Sequence, residues 1–224
     1  METFFVLKVF LISLHQKLKS MVDKILEKAS ELFMNIGFKV VTMDDIASAM
    51  GISKKTIYQH YENKNILVEK CAEHISSKIL DDIDQIYLSK NNPIEELFLI
   101  RNRFAIFFTD DKKAGIQQLK KYYPEIHFKL KNKQQVKVES CIYNNIERGI
   151  DLELYRNDLD RDFIVKLHHN SMSYIMENED FHNTGNNFIK YQNEYLEYHI
   201  RAIGTFKGIE LLKNLKIKYK LHEE

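Results

Sequence analysis

Cationic, hydroxyl and amide side chains are concentrated in a short run after Gly51, and such groups bind phosphates and base edges of DNA. Within this run Ile57 and Tyr61 are four residues apart, so a helix from Ser53 to Tyr61 would bury both on one face. The opposite face would then be polar. It would consist of Lys54, Lys55, Thr56, Tyr58, Gln59 and His60. The spacing therefore predicts a short helix whose exposed surface suits contact with DNA.

The residues before this run predict a second helix and a tight turn that would hold the first in place. Thr42 is a favourable N-cap, and Asp45 three residues later completes a capping box. Gly51 supplies the left-handed conformation that ends a helix, and Ser53 is a favourable N-cap for the next one. One face of the earlier helix is apolar and consists of Ile46, Ala47 and Met50. Two short helices joined in this way are the layout of a helix-turn-helix motif.

Residues 24–71 resemble the DNA-binding domain of the TetR/AcrR family of bacterial transcriptional regulators. The most specific parts are Thr42-Met43-Asp44-Asp45-Ile46-Ala47, Gly51-Ile52-Ser53, and Thr56-Ile57-Tyr58-Gln59-His60-Tyr61 followed by Asn63-Lys64. In that family the second helix lies in the major groove. The resemblance implies phosphate contacts from Thr42, Thr56, Tyr58, His60 and Lys64. It implies base reading mainly from Lys54, Lys55 and Gln59, and Ser53 completes the predicted DNA-binding set.

An ordinary helical corner with a solvated charged face is the alternative interpretation of these residues. Several independent features coincide at fixed offsets, which favours DNA binding. The 224-residue chain is 44% hydrophobic, with seven Gly and two Pro, so it favours long helices around a real core. Its net charge of +1 argues against non-specific coating of DNA, but a specific reader needs cations on one face only.

Enzyme chemistry is disfavoured because the sequence has no Gly-rich phosphate loop, nucleophile elbow or zinc-hydrolase helix. We therefore expect no catalytic residues, no metal site and no cofactor. Cys71 and Cys141 sit among apolar neighbours, which favours buried reduced thiols over redox sensing. His168 and His169 are adjacent and would point to different faces of a helix, which disfavours chelation of a metal ion.

Helical spacing of apolar residues runs along the whole chain without an alternating strand pattern, so we expect an all-α fold. A first helix would complete a three-helix DNA-binding head at residues 21–67; its apolar positions are Ile25, Ala29, Leu32, Phe33 and Ile36. A helical-bundle body for ligand binding and dimerisation would occupy residues 68–224, entered through a long helix that starts near Asn63. Within the body we expect a polar turn at 109–113 and helices at 116–123, 124–148, about 160–178 and 187–213.

The first 20 residues do not fit this plan. Residues 4–14 form an apolar run broken only by Lys8, which is short for a membrane span and lacks the features of a secretory signal. The segment could reflect a start annotated too early, with Met21 the true initiator. It could instead extend the first helix or pack on a partner, or anchor the chain peripherally to a membrane. Stable membrane association is the least expected of these.

The second half also resembles the regulatory domain of AcrR-like members, at residues 119–125, 146–150 and 154–156. That resemblance implies that roughly Arg161–Met176 and Phe188–Leu212 pair with a second subunit. Aromatic and methionine side chains of the body could line a cavity for a lipophilic effector, because apolar pockets are common between the helices of bundles, although plain core packing is the alternative for each residue. The tentative pocket residues are Phe104, Phe108, Tyr122, Tyr123, Met172 and Met176.

Taken together, the sequence predicts a cytoplasmic, homodimeric transcriptional repressor that binds a pseudo-palindromic double-stranded DNA operator. A small hydrophobic effector would release it from DNA. The alternative is a helix-turn-helix dimer that acts through a protein partner and has no small-molecule ligand. The sequence leaves effector, operator and the choice between repression and activation undetermined.

Overall fold

The computed structural model describes residues 20–107, 110–178, 181 and 187–218, and it is all-helical there apart from one isolated bridge between Tyr155 and Gly204. The predicted all-α class is confirmed. The described residues form helices α1 (Met21–Asn35), α2 (Met43–Met50), α3 (Lys54–Tyr58), α4 (Lys64–Leu88), α5 (Pro93–Phe107), α6 (Asp110–Tyr122), α7 (Pro124–Asp151), α8 (Arg161–Glu177), α9 (Asn187–Ile203) and α10 (Phe206–Lys218). None of the described helices is long and apolar enough to cross a membrane.

The helices are divided between two compact units. The first, which we call the head, comprises residues 20–75 together with Asp110–Phe128. The second, the body, comprises the described residues of 76–107 and 129–218. This division differs from the expected boundary at residue 67, because α4 passes from one unit to the other after Ile75 and because α6 belongs to the head.

The head begins with a helix that is capped at its first turn. Ser20 forms a capping box with Asp23, in which the Asp23 backbone N–H donates to the Ser20 hydroxyl at 3.2 Å. The buried side of α1 carries Ile25, Ala29 and Phe33, and the Phe33 ring stacks on Phe38 with centroids 5.0 Å apart. Residues 1–19, including the apolar run, lie outside the described residues.

Two details of this helix differ from the sequence prediction. Ile36 is half exposed, so it does not belong to the buried stripe. The reason is that Ile36 is already the C-cap of α1, where the chain turns away through Gly37 at φ 119°. The apolar side chain that occupies the core at this end of the helix is Phe38.

Helix α6 packs directly on α1. Gly115 permits the contact, since a Cβ there would lie 2.8 Å from the Met34 carbonyl oxygen and 2.9 Å from that of Phe33. The Gln118 side chain accepts a hydrogen bond from the Lys39 backbone N–H at 2.9 Å. The expected polar turn at 109–113 is therefore wrong in part, because the helix already begins at Asp110.

The larger apolar cluster among the described residues of the body includes Tyr155. Ile94, Phe98, Leu196 and Ile200 belong to this cluster, and α9 contacts α5, α8 and α10. The buried Tyr155 hydroxyl donates to the Asn145 side chain at 3.2 Å. Desolvation in this position raises the pKa of the Tyr155 hydroxyl far above its ordinary value.

The single helix expected at 187–213 is two helices. Gly204 and Thr205 interrupt it, because this segment bonds to the connector after α7 instead of continuing a helix. The Thr205 backbone N–H donates to the Leu154 carbonyl at 2.9 Å, and the Arg156 N–H donates to that of Ile203 at 2.9 Å. These pairings lie about fifty residues apart in sequence, so local periodicity could not predict them.

The two cysteines are free thiols. Cys71 is fully buried and Cys141 half-buried, in line with the expectation that both lie among apolar residues. Burial raises the pKa of the Cys71 thiol to about 12, so it stays protonated at neutral pH.

Helix α10 approaches the connector after α7 so closely that we expect Gly208 to tolerate no side chain. A Cβ at Gly208 would lie 2.1 Å from the Leu154 carbonyl oxygen. We expect Gly208→Ala to lower the free energy of unfolding by about 1–3 kcal/mol, because backbone must move to admit it. Asn214→Ala, at an exposed site on the same helix, is the control. Equal midpoints of the two variants in urea unfolding would contradict this packing.

Candidate nucleic-acid interface

The predicted helix-turn-helix is α2, the turn at Gly51 and α3. Thr42 and Asp45 form the expected capping box: the Thr42 N–H donates to the Asp45 carboxylate at 2.8 Å, and the Asp45 N–H donates to the Thr42 hydroxyl at 3.2 Å. The bond from the Thr42 backbone holds the pKa of Asp45 below its ordinary value, and the Thr42 hydroxyl adds to this. Gly51 is left-handed at φ 65°, and its N–H caps α2 at Ala47 and Ser48.

Buried side chains fix α3 on the head. Ile57 is completely buried, as is Ile46 on α2, and Tyr61 is almost so. The Tyr61 hydroxyl donates to the Val22 carbonyl on α1 at 3.4 Å. The inward orientation expected for Ile57 and Tyr61 agrees with this geometry, and it leaves the other side of α3 free to face solvent.

The exposed face carries the residues that the sequence predicted for DNA contact. Thr56 is half-buried, whereas the exposed members are Thr42, Ser53, Lys54, Lys55, Tyr58, Gln59 and His60. The helix itself is shorter than predicted, since it ends at Tyr58 with Gln59 as its C-cap. Gln59 and His60 therefore lie in the following turn. Their side chains are still exposed next to α3, so their predicted contacts with DNA remain predictions.

Two hydroxyl groups of this face are already engaged within the protein. The Ser53 hydroxyl accepts a hydrogen bond from the Thr56 backbone N–H at 3.1 Å, and it lies 2.8 Å from the Thr56 hydroxyl. Ser53 therefore acts as the N-cap of α3. Its contribution to DNA binding would come through the position of the helix, together with any hydrogen-bonding capacity that its hydroxyl has left.

The ammonium group of Lys54 forms an ion pair with Asp44 of α2, with Nζ 2.7 Å from the carboxylate. The hydrogen bond to Asp44 raises the pKa of Lys54, so its charge is secure at neutral pH. Asp44 therefore places a negative charge on the surface that would approach DNA phosphates. The sequence contains both residues, but nothing in it indicates that they pair across the turn.

Lys64, another predicted phosphate contact, has a structural role in the head. Its Nζ donates to the Lys39 carbonyl at 3.0 Å and lies 5.9 Å from the centre of the Phe33 ring. Desolvation lowers the pKa of this half-buried ammonium, and the neighbouring Lys39 adds to the effect. Removal of the Lys64 side chain would thus disturb the head as well as any contact with phosphate.

A cluster of two lysines next to the helix-turn-helix was not predicted from the sequence. Lys39 and Lys121 both place their Nζ atoms 5.4 Å from the centre of the Tyr122 ring. These residues gather because α6 packs on the head, a contact across about eighty residues that no local pattern reveals. Tyr122, predicted to line an effector pocket, is exposed here between two cations.

The other tentative pocket residues are distributed over both units. Tyr123 is in the head and donates from its hydroxyl to the Phe38 carbonyl at 3.5 Å. Phe104, Met172 and Met176 are half-buried in the body, and Met172 packs against the apolar cluster there. Phe108 lies outside the described residues. The predicted pocket stays a prediction.

The Lys54–Asp44 pair generates a test of the proposed DNA-binding face. Asp44→Asn should tighten DNA binding severalfold and make log Kd depend more steeply on log salt, because Lys54 becomes free to replace a counterion on the phosphates. Glu210→Gln removes one negative charge from α10 of the body, where it pairs with Lys213, and serves as the charge-matched control. Identical affinity and salt dependence of both variants and the parent would exclude Lys54 from the interface.

Known regulatory proteins are similar to this chain in sequence. Residues 25–71 match the family model described as "Bacterial regulatory proteins, tetR family". The HTH-type transcriptional repressor KstR2 of Mycolicibacterium smegmatis is 27% identical over 155 residues, which cover 65% of this chain and 72% of that protein. The negative transcriptional regulator IcaR of the biofilm operon icaADBC of Staphylococcus epidermidis is 32% identical over 92 residues, or 41% of this chain and 49% of that one.

Solved structures share the fold at low sequence identity. A transcriptional regulator from Cytophaga hutchinsonii is 16% identical and has a TM-score of 0.67, with 84% of this chain and 100% of that one covered. The ketosteroid transcriptional regulator KstR2 of Mycobacterium tuberculosis is 20% identical at a TM-score of 0.53, with 84% and 97% covered. The segment that holds the helix-turn-helix, residues 25–71, is therefore a DNA-binding domain of the TetR type, and the chain is a DNA-binding transcriptional regulator.

Proposed function

We propose that this chain is a cytoplasmic, homodimeric repressor that binds a pseudo-palindromic operator and leaves it when a small apolar effector binds the body. The observation that carries the proposal is the polar face of α3, held outward by the buried Ile57 within the family-matched segment. KstR2 and IcaR, two proteins similar to this chain, are named as repressors, which supports repression over activation.

An exposed apolar stripe on α8 supports the dimer. Phe163, Leu167 and Tyr174 are spaced by four and seven residues, so they lie on one face, and all three are exposed. Tyr198 of α9 is also largely exposed. Large apolar side chains clustered on one face indicate a surface that is covered in the functional assembly. These residues fall in the two segments expected to pair with a second subunit.

An apolar effector is supported by what is said of structural neighbours, as an analogy at the level of the fold. One is described as a ketosteroid transcriptional regulator, and another as the fatty acid degradation regulator FadR from Bacillus halodurans. A third is described as the repressor of a multidrug efflux pump. The body of this chain would accept a molecule of similar apolar character.

The packing of α6 on α1 supplies a route from effector to DNA. Since α6 is joined by its two ends to α5 and α7, a change in the body would displace this helix of the head, which packs on α1 through Gly115 and bonds to Lys39 through Gln118. The two recognition helices of a dimer must lie about 34–36 Å apart, or a multiple, to enter successive major grooves. An effector would act through its differential affinity for the two arrangements.

In vitro selection from a random DNA library with the full-length protein tests this function. We expect an inverted repeat whose half-sites are about one helical turn apart or a multiple of it. Gln59→Ala should relax base preference at one position of each half-site, at a loss of about 1–3 kcal/mol for the preferred base. Gln117→Ala, an exposed amide of α6, is the control. Recovery of no enriched sequence, or an unchanged consensus with Gln59→Ala, would contradict the assignment.

The α6 route predicts a variant that mimics the released state. Gly115→Ala would push α6 away from the backbone carbonyls of α1, so we expect weaker operator binding with the head folded and the dimer intact. Band shift would measure binding, circular dichroism the helix content and sedimentation the dimer, with Gln117→Ala as control. Operator affinity equal to that of the parent would show that α6 does not control the head.

A further inference from the structure

Arg101 on α5 is a buried cation that has no counter-charge among the described residues. The residue is 5% exposed. Its Nε has no hydrogen-bond partner, and among the described residues no carboxylate lies within ion-pair distance of its guanidinium. Desolvation lowers its pKa to about 10, so the side chain is still charged at neutral pH. A buried charge is ordinarily paired, and one that the described residues leave unpaired is a candidate to bind a ligand.

Other charged groups nearby on the same helix are paired. Glu96, almost fully buried, accepts hydrogen bonds from Asn145 at 2.7 Å and from Arg148. Arg103 is exposed and bonds to Asp82 at 2.7 Å. Arg101 therefore differs from Glu96 and Arg103: it is buried, but no group of opposite charge among the described residues pairs with its guanidinium. Glu96 cannot supply it, since its carboxylate is already engaged and lies five residues away, on a different face of α5.

A second unsatisfied polar group lies on α9, which packs against α5. Gln192 is completely buried, and neither its Oε1 nor its Nε2 has a hydrogen-bond partner among the described residues. An amide can make up to four hydrogen bonds, so a buried one with none is costly to leave unpaired. Arg101 and Gln192 together offer charged and neutral donors and one acceptor.

The helices that carry Arg101 and Gln192 contact each other and are also linked at one end of each. The Pro93 carbonyl at the start of α5 accepts a hydrogen bond from Asn145, which also binds Tyr155. Tyr155 pairs with Gly204, directly after the end of α9. Arg101 and Gln192 each lie roughly two to three helical turns from these linked ends.

Buried apolar residues adjoin both side chains along their own helices. Phe98 precedes Arg101 by three residues on the buried face of α5, and Leu196 follows Gln192 by four on α9. Both apolar residues belong to the body's main cluster, against which Met172 of α8 packs. An apolar environment with a few polar groups that have no internal partner is the usual composition of a small-molecule site.

We propose that the body binds an amphipathic anion, an apolar molecule with one carboxylate-like group that pairs with Arg101 while a neighbouring polar atom bonds to Gln192. The inference rests on the proposed function and names the chemical class of its effector. Arginine suits this role because its planar guanidinium can form two parallel hydrogen bonds to an oxyanion. The apolar remainder of the ligand would contact the cluster that includes Phe98, Leu196 and Met172.

The test compares matched pairs of probes that differ in the anionic group. One pair is dodecanoate and 1-dodecanol, and the other is 8-anilinonaphthalene-1-sulfonate and N-phenyl-1-naphthylamine. Binding to the full-length protein is measured by calorimetry and fluorescence for the parent, Arg101→Met, Arg101→Lys and the control Arg103→Met. We expect the parent and Arg103→Met to prefer the anion of at least one pair. Arg101→Met should weaken that anion's binding about tenfold and leave the neutral probe unchanged, and Arg101→Lys should retain part of the preference.

The melting temperature without probe is a second, independent readout. If Arg101 serves a ligand, Arg101→Met removes an unpaired buried charge, and the free protein should melt at a higher temperature. A lower melting temperature would assign Arg101 to the structure of the body and overturn the proposal. No anion preference in either pair would also overturn it.

Operator binding in the presence of each probe separates this proposal from the repressor function. If neutral and anionic probes release operator DNA equally, the effector-gated function stands and the role of Arg101 falls. If no probe binds and no probe affects operator binding, the anionic class is overturned, while sequence-specific DNA binding is judged by the selection experiment alone.

Discussion

The burial of Ile57 is the constraint on which the proposed DNA-reading surface depends. Helix α3 has only five residues, and an isolated helix of that length would not form in water. It exists because Ile57 is completely buried in the head, because Ser53 caps its start, and because Gly51 sets the angle at which the chain enters it. With one side of α3 fixed in this way, its opposite side presents Lys55 and Tyr58 to solvent.

The polar groups to which we assign binding roles lie where the fold itself offers few hydrogen-bond partners. The exposed face of α3 holds polar groups that water satisfies until DNA replaces it, although Lys54 is already paired with Asp44. In the body, Arg101 and Gln192 are buried polar groups without partners among the described residues, whereas Glu96 and Asn145 satisfy each other. We interpret these buried polar side chains, which lack a partner within the fold, as groups that bind a ligand.

Local features of the sequence predicted the motif well. The capping box of Thr42 and Asp45 and the left-handed Gly51 are set by residues within a few positions of one another, and the structure has both. Contacts between distant segments could not be predicted. The Gly204–Thr205 interruption depends on Leu154, and α6 reaches the head through Gln118 and Lys39, pairs that are separated by about fifty and eighty residues. For the same reason the sequence indicated neither the structural use of Lys64 nor the isolation of Arg101.

The central claim is that the face of α3 reads DNA sequence and does more than attract the phosphate backbone. It is tested most directly by the Kd of the full-length protein for its selected operator and for a shuffled duplex of equal composition, measured over a range of salt concentrations. At physiological salt we expect the operator to bind at least about a thousandfold more tightly. Equal affinities with the same salt dependence would show that only phosphates are recognised, and would contradict the account.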